Sequence, residues 1–254
     1  MRWFGLALLA LLGAAPASAT ETRLVLDYDL TYGPFRLVAL RATVDLDDRR
    51  YRAATDMHTV GLAGILFPWE SHAHSAGVQA AGGPRPERFS SEGVFRGQPR
   101  HVEIDYGADG IVKAHVEPPP EEDWRDQVPQ ELVGGTIDPL SASLSVMSRD
   151  CSGTVPVFDG RRRYDLTLTD MGADSVEGSG QAFSGPARRC RAQVRALAGF
   201  WKTEPQQSEA PTTLDFWVAQ PTAGSPPVPV YLELSGNRGT LRIHLINSQA
   251  PALS

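Results

Sequence analysis

The residues best placed to do chemistry are the two histidines of Glu70-Ser71-His72-Ala73-His74. Two positions apart on a strand, His72 and His74 project from the same face and could share a metal ion, with His58 or Asp56 joining from a neighbouring strand. Such a centre would make the protein a metal-assisted hydrolase. No glutamate-bearing zincin motif and no downstream histidine cluster completes the set, so hydrogen-bonded surface histidines are the plainer account. A second constellation is basic. Arg189, Arg191 and Arg195 share one face of a strand and could grip an anionic group bidentately, joined by Arg161–Arg163 if a disulfide draws those strands together. The competing expectation is a solvated outer face paired with acidic residues. Trp124, in a long connector, either pins that connector to the body or lines a ligand mouth. No G-x-S-x-G elbow, S-x-x-K, Walker A or dinucleotide-binding glycine pattern occurs, and Glu121-Glu122-Asp123 reads as a solvated face. No residue is therefore assigned a catalytic role, and no cofactor is called for.

The elements that would position these groups are organised around Thr136–Thr169. Asp138 can cap the free N–H groups of a first turn, and Pro139 suits the first helical position because it has no N–H to orphan. Leu140, Leu144 and Met147 follow at helical spacing, widened by Val146, which predicts a short helix over 138–148 with one apolar face. A helix of roughly ten residues is marginal alone in water, so it must dock on something larger. Past Cys151, Thr154–Phe158 meets Asp159-Gly160, a hairpin turn, and Tyr164, Leu166 and Leu168 then alternate with polar residues.

Alternation recurs along the rest of the chain. Leu24, Leu26, Tyr28, Leu30 and Tyr32 share a face; Val38–Leu46, Tyr51–Met57, Trp69–Gly77, Phe89–Gly97, His101–Tyr106 and Ile111–Val116 continue the meander. Thr59–Phe67 fits either one helical turn under the sheet or a bulged strand. Ser175–Phe183, Arg188–Leu197, Leu214–Ala219, Val228–Leu234 and Thr240–Ile246 read as the later strands, with Lys202–Pro211 a polar loop. Pro118–Gly135 is a proline- and acid-rich connector, a packed strap or a lid. About a dozen short strands and one helix predict a mainly β protein: a large curved antiparallel sheet or incomplete β-barrel with the helix packed against it.

The chain opens with Arg2, an apolar run from Trp3 to Leu12 and Ala17-Ser18-Ala19, the pattern of a signal peptide over 1–19 cut after Ala19. Residues 20–254 would form a single β-rich domain in the periplasm, with no later apolar run near the roughly 20 residues a transmembrane span needs. In that oxidising compartment Cys151 and Cys190, the two cysteines of the chain, are expected to form a disulfide. The net charge of -6 disfavours nucleic acid as a partner.

The combination of Asp138-Pro139-Leu140-Ser141-Ala142, Cys151, the run from Phe158 to Leu166, and Cys190 followed by Ala196–Phe200 resembles a family of exported bacterial proteins known only as a domain of unknown function. Thr59–Leu62, Pro84–Phe89, Pro118–Pro120 and Val128-Pro129 extend the resemblance over most of the mature chain. It implies no catalytic residue. The layout is also analogous to the curved sheets of periplasmic lipoprotein carriers. Together these features point to a non-enzymatic periplasmic protein binding an envelope component, a lipid or other amphiphile, in the hollow of its sheet. Two alternatives stand beside it, an envelope scaffold acting through protein partners and the hydrolase built on His72 and His74; the expected partner is a lipid, a glycan or an envelope protein.

Overall fold

The computed structural model describes residues 22–95, 97–148, 150–203, 212–236 and 239–250; the expected signal peptide lies outside them. The first half is a meander of β1 (Thr22–Tyr32), β2 (Phe35–Leu46), β3 (Arg50–Thr59), a helical turn α1 (Gly61–Leu66), β4 (Glu70–Ala80), β5 (Gly83–Phe95), β6 (Gln98–Tyr106) and β7 (Val112–Glu117). A connector then leads into α2 (Pro139–Ser148). The second half runs through β8 (Gly153–Phe158), β9 (Arg163–Val176), β10 (Gly185–Ala198), β11 (Thr212–Ala219), β12 (Val228–Gly236) and β13 (Gly239–Gln249). The thirteen strands of the described residues form one antiparallel sheet in the order β7-β6-β5-β4-β3-β2-β1-β13-β12-β11-β10-β9-β8. Apart from β7 and β8, neighbours in sequence are neighbours in the sheet, and β1 pairs with β13 to join the two halves.

Such an order leaves β7 and β8 as the two edges, and the chain must cross from one to the other. It can do so because the sheet curls, as right-handed twist accumulated over many strands requires. At the β8–β9 turn the Arg161 guanidinium donates to the carbonyls of Glu117 and Pro118 at the end of β7. Gly160 in that turn has φ +88°, and a Cβ there would lie 2.4 Å from Val102 Cγ1 of β6. Glycine thus lets the edges approach where a side chain would hold them apart. The connector covers the remaining seam: Gln130 Nε2 donates to Val112 O of β7 at 2.9 Å, and Ile137 forms a parallel bridge with Val157 of β8. The expected incomplete barrel is the observed architecture.

Inside the curl lies α2. Its Leu144 joins the cluster of Leu24, Leu26, Val44 and Leu245, its Val146 joins that of Leu168, Cys190 and Phe216, and its Ala142 packs with Val155 and Val157. Leu140 touches a further cluster around Phe89 and Ile104. The expected single apolar face is therefore corrected: Ser141 and Ser145 are as buried as the leucine stripe, because a sheet that wraps a rod leaves little of it to water. Cys151, just past the helix, is bonded to Cys190 of β10 with Cα atoms 5.8 Å apart, tying the rod to the wall.

Several strands run past the boundaries the sequence suggests. Residues 163–176 are one 14-residue strand, with its register shifted opposite Arg189/Cys190, and most of the expected strand Ser175–Phe183 is a loop whose Phe183 N–H donates to Leu245 O. β5 starts at Gly83 rather than Phe89. Pro84 and Pro86 are tolerated there because β6 reaches only to Arg88, so on that side no partner needs their missing N–H. α1 settles the open reading of Thr59–Phe67 as a helical turn, but it stands off the rim instead of lying under the sheet. Leu62, Ile65, Leu66 and Phe67 are all exposed.

Candidate functional site

His72 and His74 sit on the face of β4 opposite Ala73 and Ser75, which are buried. The His72 Nδ1 lies 2.7 Å from Asp56 Oδ1 across the strand pair, and that hydrogen bond raises its pKa above the usual histidine value. Among the described residues no group of three or more His, Cys, Asp or Glu side chains is gathered as metal ligands would be. The arginines of β10 lie opposite Cys190. Arg189 and Arg191 both hold Asp215, at 2.5 and 2.7 Å, and Arg195 faces Asp165 at 3.7 Å. Arg163 shares Asp165 at 2.8 Å. β9 and β10 are joined by their own ladder, the disulfide tying Cys190 of β10 to the segment between α2 and β8 and not to β9, and the three turn arginines part: Arg163 joins Arg195, whereas Arg161 and Arg162 line the mouth of the curl.

That mouth opens at the end of the sheet where β3 gives way to β4, β5 to β6 and β8 to β9. It holds a cavity of about 430 Å³, within the range of small-molecule sites. Met57, Ala73, Phe89, Val102 and Leu140 supply apolar wall, and Trp69, Phe95 and Trp201 supply aromatic rim. Thr55 and Leu140 also belong to a second, more apolar cavity of about 190 Å³ between α2 and β1–β3, lined by Leu26, Leu40, Ala42 and Met147. The two hollows thus have walls in common. The strands alternate inward apolar and outward polar residues, which is why the concave side is greasy without any single long apolar run.

Four arginines line the mouth: Arg100, Arg125, Arg161 and Arg162. Buried Asp123 of the connector is held between Arg100, at 2.5 Å, and Arg161. Burial pushes the Asp123 carboxyl up, but the two guanidinium groups win and hold it below the usual carboxylate range. Arg162 pairs with Asp159 at 2.7 Å within the β8–β9 turn. Arg125 stacks on Trp201, its Cζ 3.9 Å from the ring centroid, and donates to Gly199 O at 2.8 Å. Burial, with the charge of Arg162 beside it, pushes Arg125 down to about 10. Trp124 packs edge-on to Phe95 at 5.5 Å, 5.6 Å from the Arg100 guanidinium, and its carbonyl accepts the Lys202 N–H. These contacts fasten the connector, and Trp124 is not among the residues that line the cavity.

Beneath α2 lies a polar knot. Asp138, with no exposed surface, accepts the N–H groups of Leu140 and Ser141 on Oδ1, at 2.9 and 3.0 Å. Its Oδ2 accepts the hydroxyls of Ser75, at 2.9 Å, and Ser141. Tyr51 Oη is 2.7 Å from Ser141 Oγ, and Gly77 lies opposite Tyr51, where a Cβ would come within 2.8 Å of that phenol oxygen. Burial raises the Asp138 pKa despite these hydrogen bonds and pushes Tyr51 up to about 12. Every hydroxyl in the knot has a partner, so it anchors the helix start to β3 and β4. The capping role of Asp138 was legible in sequence; Ser75 and Tyr51 carried no local signal. At the far end of the sheet a wider hollow of about 680 Å³ includes Tyr106 in its wall, but among the described residues lining it only Arg85 and Glu87 are charged.

The fold is similar to a solved structure titled as a beta-barrel-like protein of the domain of unknown function DUF1849 from Brucella abortus, at 9% identity and TM-score 0.50, covering 93% of this chain and 100% of that one. At that identity the likeness is one of fold. No curated protein matches the chain. No described helix is long and apolar enough to cross a membrane. A family model described as "Protein of unknown function (DUF3108)" matches residues 27–246, nearly the whole curled sheet with its helix and both cysteines, and the chain belongs to that family.

Proposed function

We propose that this protein is a non-enzymatic carrier of the bacterial periplasm that holds a lipid or other amphiphilic envelope component inside its curled sheet. The observation that carries this reading is the apolar hollow between α2 and β1–β3, sharing walls with the aromatic mouth. An acyl chain laid along Leu140 into that hollow would leave water, at roughly 0.8 kcal/mol per buried methylene. The Cys151–Cys190 bond supports export, since such bonds persist in oxidising compartments. Titrating delipidated protein with an environment-sensitive dansylated fatty acid tests the reading. Ala42→Phe, which fills the hollow from β2, is expected to abolish the fluorescence gain while the protein still melts cooperatively; an unchanged titration would overturn it.

A second reading, an envelope scaffold docking on a protein partner, is favoured by one feature. Ile65 and Phe67 of the α1 turn are 76% and 73% exposed, and Thr59–Trp69 carries no charge, so this knuckle presents apolar surface at the rim.

A further inference from the structure

We propose that Arg100, Arg125 and Arg162 form, in the mouth of the curl, a binding site for the anionic oxygen head group of the amphiphile, a phosphate or carboxylate. The inference rests on the reading that the hollow holds an amphiphile, and it names the ligand's charge and the residues that would meet it.

Charge balance is the first argument. The chain as a whole is acidic, at -6, yet its mouth gathers four guanidinium groups. Three carboxylates stand against them: Asp123 behind the wall, Asp159 in the turn, and Glu92, whose charge also acts on His72 on the other face of the sheet. The four cations exceed these three anions even when Asp123, outside the lining, is counted. Asp123 is moreover spent on Arg100 and Arg161 together.

Pairing is the second. Among the described residues the Arg125 guanidinium pairs with no carboxylate; a backbone carbonyl and the Trp201 ring are its partners, and only the backbone N–H of Arg125 reaches Asp123. A half-buried cation without a counter-ion carries a desolvation cost that an arriving anion offsets. Burial is the main cause of the lowered Arg125 pKa, with the charges of Arg162 and Arg100 adding to it and those of Asp159 and Asp123 opposing it. Arg162 has one carboxylate contact and 51% of its side chain accessible, leaving donors open to the cavity it lines. Guanidinium groups suit such a site because their planar forks take carboxylate or phosphate oxygens two at a time.

Position is the third. The arginines line the 430 Å³ cavity together with Met57, Phe89 and Leu140, and Leu140 also lines the apolar hollow beside it. A charged head and an apolar tail would each find their own surroundings.

The test compares three probes on the full mature protein by calorimetry: decyl phosphate, decanol and inorganic phosphate. Wild type is expected to bind decyl phosphate at least about 10-fold more tightly than decanol, as one or two charge-assisted hydrogen bonds provide. Arg125→Gln with Arg162→Gln should abolish that preference and leave decanol binding unchanged. Raising NaCl on wild type should weaken decyl phosphate and not decanol, a readout independent of how the variant folds. No preference for the phosphate in wild type, a preference that survives the double substitution, or one indifferent to salt overturns the head-group site. Inorganic phosphate binding as tightly as decyl phosphate overturns the head-group assignment in favour of a free-anion site. Loss of decanol binding alone, with arginine-dependent decyl phosphate binding intact, sinks the apolar-hollow reading and spares the anion site; binding of neither alkyl probe sinks both.

Discussion

Removing the Asp138 carboxylate should cost the fold about 3 kcal/mol, a large share of the 5–15 kcal/mol that holds a typical domain together. In Asp138→Ala the helix loses its N-cap, worth about 1 kcal/mol. The hydroxyls of Ser75 and Ser141, both buried, lose their shared acceptor at about 1–3 kcal/mol each, reduced because they lie 3.0 Å apart and can turn to one another. Relief from burying a carboxylate offsets part of the remainder. Urea unfolding should show a lower midpoint with an unchanged slope. Asp138→Asn keeps an oxygen for the backbone N–H groups of Leu140 and Ser141 and isolates the charge. The native Asp138 pKa is raised by burial, so as pH climbs from the ordinary carboxylate value toward the native one, the unfolded chain releases a proton that the folded one still holds. This group's stabilising contribution is thus complete below the unfolded pKa and declines through that window. The difference between wild type and Asp138→Asn should show that decline. A loss below about 1 kcal/mol in the alanine variant, or pH–stability curves that run parallel in the asparagine variant, would refute the capping account.

Reducing the Cys151–Cys190 bond frees a separation of 39 residues and is expected to cost about 4 kcal/mol by loop entropy, read as a lower urea midpoint in dithiothreitol. Asp215 is held down to about 2, chiefly by its hydrogen bond to Arg191 and also by Arg189. Its contribution, about 1–2 kcal/mol after allowing for solvent around the arginines, should be present at neutral pH and vanish as pH falls from about 4 toward 2; Asp215→Asn should match wild type below that window and fall short above it.

Local chemistry legible in the sequence accounts for much of the frame. The two-residue alternation of Leu24, Leu26 and Tyr28 marks β1, Asp109-Gly110 and Asp159-Gly160 mark two hairpins, and Asp138-Pro139 marks the start of α2, because each signal acts over a few residues. The cysteine pair was likewise legible from its count. What the chain by itself left open was which side of each element would be covered. The serines of α2 look like a polar face until a sheet encloses them, and Ser141 finds Tyr51 from 90 positions away. The arginines show the same divide. Arg189, Arg191 and Arg195 stand out in sequence because they alternate, whereas Arg100, Arg125 and Arg162 lie on three separate elements and meet only when the two edges of the sheet close on each other. Periodicity is a property of neighbours along the chain, but the electrostatic character of a hollow belongs to residues that only the curvature of the sheet brings together.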